Sequence, residues 1–169
     1  MHKTSLIIVL MYLSIGGHIK AQTAADPRAN PETAFFDFQI GVWVSNDGKQ
    51  VHEISKTLDG CAIEEVWKTD GKVTAKAIKS FDNGNHDKNG EKRWFYTWAG
   101  RGYHQLWQGR KEDGVWRFYR DWWFNGGPML SRTYWTRHGA NSLERIIEQS
   151  LDGGKTWRLH LKDAFTKKQ

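Results

Sequence analysis

The residues best suited to chemistry fall in the middle of the chain, as aromatic and polar side chains spaced by two. One run carries Trp94, Tyr96 and Trp98, a second carries Tyr103, Gln105 and Trp107, and a third carries Trp116, Phe118, Arg120 and Trp122. Successive side chains of a strand point to opposite faces, so each run occupies one face if extended. Taking Gly100-Arg101 as a two-residue turn sets Trp98 opposite Tyr103, Tyr96 opposite Gln105 and Trp94 opposite Trp107. An even-numbered loop at Asp113-Gly114 then sets Trp107 opposite Phe118 or Arg120, which puts all three runs on one side. A five-residue loop would bring in Arg117, Tyr119, Asp121 and Trp123 instead, and the first register is favoured.

A barrel interior packed solid would be rich in Val, Leu and Ile, and this face is aromatic with polar tips. Burying Arg120 alone costs several kcal/mol, so it requires a carboxylate, water or an anionic ligand. Glu65 and Glu148 are the candidate partners from other strands. Arg beside Tyr or His suits elimination. The Arg neutralises a uronate carboxylate and so acidifies the adjacent C–H, Tyr or His removes that proton, and a second group protonates the leaving oxygen. Tyr96, Tyr103 and Arg120 are the expected catalytic residues, with His104 as the base if the register moves by one. Trp98, Gln105, Trp107, Trp122, Glu65 and Glu148 are the expected ligand contacts.

The substrate class this implies is a polar, acidic oligosaccharide or sugar fragment, since flat indoles stack on the apolar faces of pyranose rings and the chain holds 10 Trp. Loss of water (a dehydratase) and loss of a sugar (a lyase) both fit. The alternative is a non-catalytic barrel that binds a small ligand by shape and stacking alone. Some of these groups could also be structural, with an Arg stacked on a core Trp. Arg145 or Arg158 on Trp43 is the specific version of that expectation.

Other chemistries find less support. His52, His86, His104, His138 and His160 fall in separate segments, so no metal site is expected. No cofactor is expected either. Cys61 is the only cysteine, which rules out an intramolecular disulfide and reads as a small buried hydrophobe. The net charge of +6 is scattered, with no basic block beyond Lys167-Lys168, and nucleic-acid binding wants a clustered basic face. The expected partner is a small polar or sugar-like ligand, and the sequence sets no oligomeric state.

The elements that would position these residues are short strands. Residues 1–21 read as a signal peptide cleaved near Ala21, which implies a secreted or periplasmic protein. Its apolar run from Leu6 to Ile15 is short of the roughly 20 residues that span a bilayer, so stable membrane insertion is not expected. Residues 22–33 read as a linker and 34–167 as one domain, with a helical turn at Ala34 to Phe38 closing one end. Apolar-rich runs follow at 42–45, 51–57, 61–68, 73–81, 93–98, 102–107, 115–123, 129–136, 143–149 and 157–162. Ten such runs with Asp-Gly and Asn-Gly punctuation predict an all-β, up-and-down antiparallel barrel.

Two signatures bracket the domain. Near its start stands Asp37-Phe38-Gln39-Ile40-Gly41-Val42-Trp43, whose Gly-x-Trp resembles the pattern shared by calycins, the lipocalins and their relatives. With Asp59-Gly60-Cys61-Ala62, Glu65, Trp67, Ser80-Phe81-Asp82, Trp94, Trp98, Arg145 and Glu148, the chain resembles a calycin-like family of secreted bacterial proteins of the domain-of-unknown-function 1579 type. The resemblance runs from about Phe35 to Lys167 and implies a barrel with a pocket, but carries over no catalytic residues. Near the end, Ser150-Leu151-Asp152-Gly153-Gly154-Lys155-Thr156-Trp157 resembles the Asp-box turn of secreted β proteins, which implies that the Asp caps the hairpin backbone. The haem-binding nitrobindin pattern Gly-x-Trp-x-Gly-x-Gly is not matched, because Ser45 follows Val44, and His160 is the only late proximal candidate.

Overall fold

Four two-residue turns set the architecture. Asp70-Gly71, Arg101-Gly102, Asp113-Gly114 and Asn125-Gly126 each place both residues at positive φ, the geometry whose twist matches a β-hairpin. In the computed structural model, which describes residues 29–84 and 88–169, these turns link neighbouring strands of a closed barrel. The expected leader (1–21), residues 22–28 of the expected linker and His86 lie outside the described residues.

The strands are β1 (Gly41–Ser45), β2 (Gln50–Thr57), β3 (Ala62–Thr69), β4 (Lys72–Asp82) and β5 (Arg93–Gly100). They continue as β6 (Tyr103–Glu112), β7 (Val115–Phe124), β8 (Gly127–Arg137), β9 (Ser142–Ser150) and β10 (Arg158–Lys167). Each pairs antiparallel with its chain neighbours, and β10 closes on β1 through Trp43 opposite Lys167. The all-β, ten-stranded, up-and-down barrel expected from turn punctuation is the fold found. Closure leaves no edge strand in need of a partner. Among the described residues, no helix is long and apolar enough to cross a membrane.

The barrel has one plugged end. Two short 3-10 turns, Pro31–Ala34 and Asp37–Gln39, carry the chain across it. Asn30 caps the first by accepting from the Glu32 N–H at 3.0 Å. Phe36 drops into the interior and packs edge-on to Trp94 at 5.1 Å and against Phe118 at 5.6 Å. Trp43 is fully buried above it, its indole N–H donating to the Gln39 carbonyl at 2.6 Å. Gly41, two residues before Trp43, sits at φ +138° with the Lys167 side chain where a Cβ would go. The Gly-x-Trp signature is thus the point at which the plug turns into β1.

Hairpin register differs from expectation in one place, without changing the faces. The β5–β6 turn is Arg101-Gly102, so Trp98 pairs with Gln105 and Tyr96 with Trp107, each displaced by two from the expected partner. An even displacement preserves side-chain parity. At the next turn, Gln108 opposite Tyr119 puts Arg120 across from Trp107, one of the two expected alternatives.

Gly109 shows how tightly the interior is filled. A Cβ there would lie 2.8 Å from the Trp94 carbonyl oxygen and 3.1 Å from the Trp116 ring. Gly109→Ala is expected to destabilise by about 1–3 kcal/mol, the usual cost of overpacking, measured by urea unfolding.

Candidate functional site

Interior side chains sort into two levels. The lower level, next to the plug, is a charged cluster sealed among aromatic rings. Lys79 is 0% exposed, Glu65 1% and His52 2%. The Lys79 ammonium donates to a Glu65 carboxylate oxygen and, at 2.7 Å, to Gln39 Oε1. The other Glu65 oxygen accepts from Trp67 Nε1 at 3.1 Å and from the Tyr96 hydroxyl at 3.2 Å. Lys79 Nζ also lies 3.9 Å from the Trp135 ring centre. Burial pulls the Lys79 amine below its ordinary range, and the Glu65 carboxylate opposes that pull. Burial, then Glu65, push the Tyr96 phenol well above its usual value, so Tyr96 stays a proton donor to Glu65.

The upper level is open and forms the barrel mouth. Its wall is the expected β5–β6–β7 face, joined by residues of β8, β9 and β10. One cavity of about 270 Å³ is lined by Tyr103, Gln105, Trp107, Arg120, Trp122 and His160 among others. A second of about 190 Å³ shares Tyr103, Gln105 and Trp107 with it and reaches Tyr96, Trp98 and Arg145. A larger cavity, about 470 Å³, lies between Phe124, Leu151 and Leu159, and joins the first at Gln149 and His160. Its lining mixes those apolar side chains with Gln149, Asp152, Thr156, Arg158 and His160.

Arg120 is the distinctive group of the mouth. Its guanidinium lies 4.9 Å from the Trp107 ring centre and 4.6 Å from that of Trp122. Its Nε is buried without a hydrogen-bond partner, and among the described residues no carboxylate pairs with it. Burial lowers its pKa, and Tyr103 acts in the opposite direction. Both flanking indoles are fixed by hydrogen bonds. Trp107 Nε1 donates to Gln105 Oε1 at 3.1 Å, and Trp122 Nε1 donates to Ser131 Oγ at 3.0 Å.

Arg145, the second cation of the mouth, is neutralised. Its Nε and one terminal nitrogen donate to Asp163 Oδ2 at 3.1 and 2.5 Å, and its plane stacks 4.4 Å from the Trp67 ring centre. The expected stacking of Arg145 or Arg158 on Trp43 is therefore corrected. Trp43 is capped by the Lys167 ammonium at 5.3 Å, because strand closure sets Lys167 across from it. Arg158 is exposed and lines the outer cavity.

The structure brings together Tyr96, Trp98, Tyr103, Gln105, Trp107, Arg120 and Trp122, and separates the two glutamates from them. Glu65 belongs to the sealed cluster and is taken by Lys79. Glu148 points outward and accepts from Arg132 Nε at 2.6 Å, because Gln149 and Ile147 hold the inward parity of β9. Neither meets Arg120. His104, the alternative base, pairs with Ala99 on the outer face, since the register did not move by an odd number. Sequence reasoning missed His160 as a mouth residue. It is the extra residue of a β-bulge between Leu159 and Leu161, and a bulge breaks the alternation on which face assignment depends.

At the β9–β10 hairpin, Asp152 caps the turn as the Asp-box likeness implies. It accepts from Thr156 N at 2.9 Å and Thr156 Oγ1 at 2.7 Å. These bonds, those to Thr156 first, hold its pKa at about 2. Trp157 beyond it stacks under Arg132 at 4.1 Å on the outer face, away from the mouth.

His52 carries a pH prediction. Burial first, then the Arg145 and Lys79 charges, lower its pKa to about 2, and its Nε2 has no partner. The unfolded chain takes up the proton near pH 6.5, well before the folded one does. Stability is therefore full above that pH and falls as pH drops towards 2, by about 2 kcal/mol between pH 7 and pH 5. His52→Phe should remove that slope in urea unfolding at the two pH values. An unchanged slope would place the acid lability elsewhere.

No family model matches the chain, and no curated protein matches it significantly.

Proposed function

We propose that the barrel mouth binds a small, acidic, sugar-like ligand whose carboxylate docks on Arg120 between Trp107 and Trp122. The observation that carries this reading is the uncompensated guanidinium in an aromatic, partly desolvated cavity. A cation so placed has lost part of its hydration without gaining a counter-ion, and a carboxylate restores both charge and hydrogen bonding. Gln105, Ser131, Gln149 and His160 line the same cavity and supply partners for ring hydroxyls, while indole surface supports the apolar side of the ring.

Binding is the activity these residues support best. Tyr96 is unsuited to proton abstraction, since its hydroxyl is buried and donates to Glu65. Elimination is the second reading, and one observation favours it: Tyr103 and His160 line the Arg120 cavity and could act as base and acid there.

Incubation with acidic and neutral oligosaccharides, followed by mass spectrometry and calorimetry, tests both readings. Saturable binding of D-glucuronate with no turnover supports the binding barrel. A product lighter by one water, or an unsaturated fragment, establishes elimination at Tyr103 and His160. Equal binding of glucose and glucuronate would remove the carboxylate from the account.

A further inference from the structure

The cavities of the mouth form one trough, each sharing lining residues with the next. The outer cavity beside Leu151 and Leu159 shares Gln149 and His160 with the Arg120 cavity. The Arg120 cavity shares Tyr103, Gln105 and Trp107 with the one that reaches Trp98 and Arg145. That one shares Trp98, Tyr103 and Arg145 with a cavity of about 200 Å³ that extends to Arg101. Tyr103 lines the last three of these, so it borders most of the path.

Arginines recur along this trough. Arg158 lines the outer cavity, Arg120 the next, Arg145 the third and Arg101 the last. Arg145 is neutralised by Asp163, whereas Arg101, Arg120 and Arg158 have no ion pair among the described residues. The carboxylate among the lining residues is Asp152, and its oxygens already accept from Thr156 and Ser150. An exposed arginine needs no partner, because water serves it. Three unpaired arginines on one trough, with Arg120 half-buried between indoles, sum to a positive field along its length. A ligand with a single carboxylate answers one of them.

From this distribution we infer that the trough binds a chain of acidic sugars, with one carboxylate on Arg120 and others on Arg101 and Arg158. The inference rests on the reading of Arg120 as the carboxylate site and adds a subsite on either side of it. Aromatic surface follows the same path, from Phe124 past Trp122 to the Trp98–Tyr103 pair, 5.4 Å between ring centres. Gln149, Gln105, Thr74 and Gln50 supply partners for ring hydroxyls along it. The ligand class is a linear oligouronate of three or more rings.

Calorimetry with D-glucuronate and D-galacturonate, and with the 1,4-linked dimer, trimer and tetramer of each, tests it. In at least one series affinity should rise about 25-fold from monomer to tetramer, about fivefold for each exposed arginine reached. Arg101→Asn keeps the β5–β6 turn, since Asn accepts the positive φ of that position. Arg158→Gln changes an exposed residue at the start of β10. Each variant should lose about fivefold in tetramer binding and leave monomer binding unchanged. Monomer binding with no gain on lengthening, or a gain that survives in the double variant, would overturn the flanking subsites while leaving Arg120 standing. Polyglutamate of equal charge binding as tightly as the tetramer would overturn the sugar chain. Failure of every uronate would overturn both readings.

Discussion

Lys79→Met is expected to destabilise the barrel by about 3–5 kcal/mol, the usual cost of stranding one partner of a buried ion pair. The variant keeps the volume and apolar stem of the side chain, so the loss measures charge rather than packing. What remains is a Glu65 carboxylate, 1% exposed, whose hydrogen bonds among the described residues come from Trp67 Nε1 and the Tyr96 hydroxyl. Adding Glu65→Gln should recover most of the loss, because the neutral amide oxygen still accepts from Trp67 and Tyr96 without a buried charge. Urea unfolding of the two single variants and the double variant closes the cycle. A Lys79→Met variant as stable as the parent would mean that the cluster is hydrated or protonated in a way its burial does not suggest.

Arg120→Gln is expected to leave the fold untouched and weaken glucuronate binding by about 100-fold. Hydrogen bonds to a charged group contribute about 1.5–3 kcal/mol each, and the variant removes a guanidinium fork together with its charge. Stability should change by less than about 1 kcal/mol, because Arg120 makes no ion pair with the described residues. Arg120→Lys should recover only part of the affinity, as an ammonium keeps the charge but lacks the planar fork and stacks poorly between indoles. The two variants differ from Lys79→Met in kind. On the proposed function, the mouth cation serves a ligand and the sealed cation serves the fold.

Much of the barrel was legible because its information is local. Asp70-Gly71, Asp113-Gly114 and Asn125-Gly126 name the hairpin turns directly, since such pairs accept positive φ at both positions. The mouth face was legible for a related reason. Misplacing the β5–β6 turn at Gly100-Arg101 moved the pairing by two, and an even error leaves Trp98, Tyr103, Gln105 and Trp107 on the face where alternation put them.

What alternation cannot supply is contact between strands far apart in sequence. Lys79 shares parity with Ala75, Ala77 and Phe81, a visible sign of an inward lysine, but the outward set holds Ile78 and leaves the strand ambiguous. Its partnership with Glu65 depends on the β3–β4 register, which shifts at a bulge between Trp67 and Lys68. The neutralisation of Arg145 by Asp163 depends on β9–β10 pairing below a second bulge, the one that turns His160 into the mouth. Glu148 failed as a partner for Arg120 because one step along β9 separates the inner face from the outer. Carboxylates could be counted in the sequence, but their faces could not.

The most direct test of the Arg120 site follows the indole N–H signals of Trp107 and Trp122 by two-dimensional nuclear magnetic resonance during titration with D-glucuronate. Both signals should shift together and saturate with glucuronate, remain still with glucose, and remain still with glucuronate in the Arg120→Gln variant. Indoles that do not respond to glucuronate, or that respond equally in the Arg120→Gln variant, would contradict a carboxylate site at the barrel mouth.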